Sequence, residues 1–100
     1  MGFIGRLLSL TYQVELDKIE KHLDDNIKYL DHHYDLGHFL ASGRKVPRSG
    51  GVILANVHTR EILDDILSED PFKLNDIADY DIIEFIPTKT SKELSHLKQS

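Results

Sequence analysis

Two segments of this chain, GVILANV at residues 51–57 and DYDIIEFIPTK at 79–89, are apolar on both sides when sorted by the two-residue period of a strand. In the first, Val52 and Leu54 fall on one side and Ile53, Ala55 and Val57 on the other. In the second, Ile83 and Phe85 oppose Ile82 and Ile86. A strand with water on one side alternates apolar with polar, so strands of this kind must be covered twice. That requirement narrows the choice of fold more than any other feature.

The rest of the chain supplies one cover. FIGRLLSLTY, residues 3–12, reads as a strand, with Leu8, Leu10 and Tyr12 on one face. From Glu15 to Leu36 the period changes, and Leu16, Ile19, Leu23, Ile27, Leu30 and Tyr34 form one face of a single long amphipathic helix. Gly37 is placed to end it in a left-handed cap. HFLASGRK reads as a second strand and VPRSGG as a loop. Thr59 is a candidate N-cap for a second helix, REILDDILSE, with Ile62 and Ile66, joined by Leu63 and Leu67, expected to face inward. Thr90 and Glu93 form a capping-box pattern that predicts a C-terminal helical turn.

The order is β-α-β-β-α-β, an α+β fold of the ferredoxin-like type, with an antiparallel sheet and both helices on one face. The second apolar sheet face then lacks a cover within the chain. A second copy is expected to supply it, giving a homodimer whose sheets pack face to face. The expected organisation is one domain over residues 1–90, followed by a short helical tail at 91–100.

Charge and composition remove several functions. A net charge of −5 and a pI near 5.6 disfavour nucleic acid and anionic membranes as partners. With no cysteine, thiol chemistry, disulfides and Cys-based zinc sites are excluded. The apolar N-terminus is short, Arg6 interrupts it, and Arg6 also stands where a myristoylation motif needs serine or threonine. No stretch approaches the roughly 20 apolar residues of a membrane span. A cytoplasmic location is expected, and no cofactor.

Four segments together resemble the YCII-related (YciI-like) proteins: HLDDNIKYLDHHYDLGHFLASG, PRSGGVILANV, SEDPF and YDIIEFIPTK. The resemblance implies a ferredoxin-like dimeric α/β barrel with a cleft where a histidine of the first helix and an acid act. By its pattern the histidine lies eleven residues before the glycine that ends the helix, and here that position is Asn26. Its acid falls on Asp70. A few relatives are linked to small-molecule degradation, including dehydrochlorination. Asparagine exchanges no proton near neutral pH, so the usual chemistry is not expected here.

Helical geometry sorts the nearby histidines. At about 100° per residue, His22, Asn26, Tyr29 and His33 share a stripe roughly 60° wide, a quarter turn from the apolar face. That border position makes His22 and His33 candidate ligand contacts, while His32 and His38 read as bystanders. His22 and His33 lie about 16 Å apart along a helix, too far to share one metal at about 2 Å per ligand, and no metal site is expected. Asp70 followed by Pro71 also reads as an N-cap with proline at the first helical position, and Phe72 as a core anchor. In SGRKVPRSGG, Ser42, Arg44 and Arg48 are suited to an anionic small molecule, or the loop is a solubilising turn. Two functions follow. One is a small-molecule-binding dimer without histidine chemistry. The other is a lyase-like enzyme that uses Asp70 with a histidine or water.

Overall fold

The computed structural model describes residues 5–98. Gly2 and the start of the expected first strand at Phe3 lie outside them, as does the end of the tail. The elements are β1 (Gly5–Tyr12), α1 (Leu16–Glu20), α2 (Leu23–Asp35), β2 (Phe39–Arg44), β3 (Gly50–Ala55), α3 (Arg60–Leu67), α4 (Pro71–Leu74) and β4 (Ala78–Phe85). A 3₁₀ turn, Lys92–Leu97, follows. The four strands pair antiparallel in the order β2-β3-β1-β4, the ferredoxin-like arrangement expected from the sequence.

Register decides which side chains share a face. Leu8 lies opposite both Ile53 and Ile82, and Leu10 opposite Tyr80. Leu8, Leu10, Ile53 and Ala55 are buried together with Ile19, Leu63, Ile66, Leu67 and Phe72 from the helical segments. Each such large aliphatic side chain contributes about 1.5–3 kcal/mol by leaving water. The opposite face carries Leu7, Leu54 and Ile83 in one row and Gly5 with Phe85 at its end. Here Ile83 is 54 % and Phe85 43 % exposed. Gly50 permits the close approach of β3 to β1, because a Cβ there would lie 1.7 Å from the Leu10 carbonyl oxygen.

The single long helix expected over residues 15–36 is two helices. At the junction the His22 N–H bonds back to the Ile19 carbonyl, a three-residue turn, and the four-residue ladder resumes from His22 to Asn26. A second difference concerns which face is inward. The line predicted as core, Leu23–Ile27–Leu30–Tyr34, is only partly covered, and Ile27 is 46 % exposed. The predicted border line holds the buried residues of α2, namely Asn26, Tyr29 and His33. The reason is that α2 leans its border on the α3–α4 junction, which offers polar partners, and leaves its apolar line overhanging the sheet. In α3 the inward residues are Leu63, Ile66 and Leu67, whereas Ile62 is 41 % exposed.

The local signals behave as expected at three ends. Thr59 Oγ1 accepts from the Ile62 N–H at 3.1 Å. Asp70 Oδ1 accepts from the Phe72 N–H at 2.9 Å, with Pro71 as the first residue of α4 and Phe72 buried. Gly37, at φ 80°, ends α2 in a Schellman motif: its N–H bonds to the Tyr34 carbonyl and that of His38 to the His33 carbonyl. The C-terminal turn forms too, but its N-cap is Ser91 without a side-chain bond, not Thr90.

Candidate functional site

Between α2 and the helix-side face of the sheet lies a cleft of about 300 Å³. This is at the lower end of the range for small-molecule sites. Leu23, Ile27 and Leu30 of α2 roof it, which explains why that apolar line is not sealed into the core. Leu10, Tyr12, Gly51 and Ile53 floor it, and Phe72 and Asn26 close one end. Ser42, Arg44 and Arg48 stand along its wall.

A β-bulge brings the β2 residues to this wall. Phe39 lies opposite Ala55, but the register then shifts before Ala41 pairs with Leu54. One extra residue, Leu40, turns the rest of the strand over. Ser42 therefore pairs with Ile53 and Arg44 with Gly51, on the face that the helices cover. Without the bulge these two side chains would point to the opposite side of the sheet.

The cations along the wall differ in their engagement. Arg48 Nη1 meets Glu20 Oε1 at 3.3 Å, while its buried Nε has no partner among the described residues. Lys45 Nζ donates to Thr11 Oγ1 at 3.3 Å. Arg44 is exposed, and its guanidinium makes no ion pair or hydrogen bond with the described residues. Ser42 Oγ accepts from the Tyr34 hydroxyl at 2.7 Å, so its own proton is free to be donated.

Behind the closed end is a polar cluster centred on Asp70, which is fully buried. Asp70 Oδ1 accepts from Phe72 N–H and, at 3.1 Å, from Asn26 Nδ2. Its Oδ2 accepts a short hydrogen bond from the Tyr80 hydroxyl. Burial drives the Asp70 carboxyl above its ordinary range, and the bonds from Tyr80, Phe72 and Asn26 oppose that rise. Burial beside Asp70 also raises the Tyr80 phenol far above its usual value, so it is a fixed donor. Tyr29 is raised likewise, first by burial, and donates to the Ile66 carbonyl at 2.9 Å.

His33 is not at the solvent border. It is 2 % exposed, with Nε2 2.8 Å from Glu69 Oε1 and Nδ1 2.9 Å from His38 Nδ1. His38 is thus no bystander. The Schellman motif folds the residue after Gly37 back over the last helical turn, and the two imidazoles stack with centroids 5.1 Å apart. Spacing around the helix-ending glycine was the signal for this pair. His32 is exposed, as read from the sequence.

The structure thus brings Asn26, Ser42, Arg44 and Arg48 to one cleft and places Asp70 directly behind Asn26. His22, half-buried at the α1–α2 junction, and His33 do not line that cleft. Tyr80, Tyr29 and Glu69 belong to the polar cluster and carried no motif in the sequence. The three-residue metal-ligand groupings that histidine and carboxylate clusters can form do not occur among the described residues. No helix among them is long and apolar enough to cross a membrane.

None of the curated proteins matches the chain. The sequence model of the YCII-related domain matches residues 6–86, from the second residue of β1 to just past β4, and so spans the whole sheet and the cleft. With that match over most of its length, the chain belongs to the YCII-related family.

Proposed function

We propose that this protein is a small-molecule-binding homodimer whose cleft takes an anion and performs no histidine acid–base chemistry. The observation that carries this reading is an apolar cleft with an unengaged guanidinium, Arg44, on its wall. Arg48 and Ser42 add donors on the same wall. In an acidic chain this is a local cationic patch, suited to a carboxylate or phosphate. Asn26 stands where the sequence pattern puts the family's histidine, and its amide is committed to Asp70. The second copy covers the sheet face that carries Leu7, Leu54, Ile83 and Phe85. Calorimetric titration with phenylacetate tests the reading, with Arg44→Gln expected to weaken binding about tenfold through the lost charge-assisted bond. Unchanged affinity in that variant contradicts it.

One observation favours a second reading, a lyase-like enzyme that uses Asp70. Its carboxyl is raised by burial, as working acid–base groups often are. Against it, both oxygens of Asp70 are taken by Asn26, Phe72 and Tyr80, and Asp70 does not line the cleft. Turnover of any substrate that survives Asp70→Asn eliminates this reading.

A further inference from the structure

Resting on the anion-cleft reading, we infer that the cleft selects anions carrying a hydrogen-bond donor at the end remote from the charge, with Asn26 Oδ1 as the acceptor. Asn26 is the specificity-determining residue of this arrangement.

The direction of one amide fixes where the free acceptor lies. Asp70 Oδ1 accepts from the Phe72 N–H, and as a carboxylate it offers Asn26 only a lone pair. Asn26 must therefore present its Nδ2 to that oxygen, as it does at 3.1 Å. With Asp70 as a carboxylate, the amide cannot flip without setting two acceptors against each other. Its carbonyl oxygen is turned away from Asp70, toward the cleft that Asn26 lines, and has no partner among the described residues. Asn26 is 7 % exposed as a residue, yet its Oδ1 is not among the buried unpartnered atoms, so what remains open of this side chain includes the acceptor. An open acceptor on the wall of an apolar cleft favours ligands that satisfy it, and a ligand that covers it without a donor strips its water at a cost.

The register of the sheet sets the two polar features apart. Arg44 pairs with Gly51, Gly51 with Leu10 and Leu10 with Tyr80, one row across all four strands. Three strand spacings of about 4.8 Å separate its ends by roughly 14 Å. Arg44 stands at the β2 end, while Tyr80 at the β4 end holds Asp70 and, through it, Asn26. Between them the row offers only Leu10 and the bare backbone of Gly51. A ligand along this row places its anion at Arg44, an apolar body over Leu10, and its far end at the Asn26 carbonyl. An acceptor at that far end faces oxygen against oxygen.

The test is calorimetric titration of the full chain with phenylacetate, 4-hydroxyphenylacetate and 4-methoxyphenylacetate. The hydroxyl compound is expected to bind about fivefold more tightly than phenylacetate, the factor for one net hydrogen bond. The methoxy compound, which has only an acceptor there, is expected to bind no more tightly than phenylacetate. In Asn26→Leu the ratio of 4-hydroxyphenylacetate to phenylacetate affinity is expected to fall to about one. Equal wild-type affinity for the three, or a hydroxyl preference that survives in Asn26→Leu, overturns the inference and leaves the anion cleft standing. If none of the three binds, the anion-cleft reading falls and the inference with it. Should Asn26→Leu fail to fold, the wild-type contrast between hydroxyl and methoxy compounds decides alone.

Discussion

His33 Nδ1 and His38 Nδ1 face each other across 2.9 Å, so one nitrogen must carry a proton and the other must not. His33 Nε2 is held by Glu69, which makes that nitrogen the donor. A neutral His33 then accepts at Nδ1, so His38 Nδ1 carries the shared proton and His38 Nε2 is the nitrogen that a second proton would take.

The His38 pKa is lowered, by burial first and then by His33, with His32 adding to the drop and Glu69 opposing it. Asp70 and Tyr29 are the other titratable groups beside His33. Because the folded value lies below the unfolded value near 6.5, stability from His38 is full above about 6.5 and is lost as pH falls through that region. A proton NMR titration is expected to place the His38 midpoint below 6.5, moving upward in His33→Gln. A midpoint at or above the ordinary value contradicts the packing of His38 against His33.

Asp70 has the opposite linkage. A carboxyl raised in the folded state leaves the native chain holding more protons than the unfolded one, so this group alone favours the fold more as pH drops toward the ordinary carboxylate range. Asp70→Ala removes the α4 cap and strands the Tyr80 and Asn26 donors, for a loss of about 3 kcal/mol in urea unfolding. Asp70→Asn keeps an acceptor and is expected to cost less than half as much. Equal losses in the two variants contradict the cap-and-cluster role.

Gly50 is expected to tolerate no side chain. A Cβ there would sit 1.7 Å from the Leu10 carbonyl oxygen, backbone that moves only if β1 and β3 part. Gly50→Ala is predicted to cost about 3 kcal/mol and to speed hydrogen exchange at the β1–β3 amides. A thermal midpoint within a degree of wild type argues against this packing.

Dimer formation is expected to depend on the face bearing Ile83, which is 54 % exposed in one chain. Sedimentation at micromolar concentration should give twice the chain mass, and Ile83→Lys should give monomer with its far-UV circular dichroism intact. Monomer in the unaltered protein removes the second copy from the account.

What was legible in the sequence is what neighbouring residues decide. Strand alternation gave the element order, and Thr59, Gly37 and Asp70–Pro71 marked helix ends because caps act within a few residues. The roll of α2 was not legible. Leu23, Ile27 and Leu30 carry a core-like pattern, yet the α3–α4 junction offers partners for Asn26, Tyr29 and His33 a quarter turn away. Nor did Ser42 and Arg44 announce their face, since a single bulged residue in β2 sets it. Tyr80 reads as an ordinary strand aromatic until the fold brings Asp70 to its hydroxyl.

The most direct test of the cleft is a ¹⁵N-resolved NMR titration of the full chain with phenylacetate. Saturable amide shifts are expected to concentrate at Gly43, Arg44, Gly50, Gly51 and Val52, all of which line the cleft. Saturation with shifts confined to other surfaces, or no saturable shift at these five amides, contradicts the anion-cleft reading.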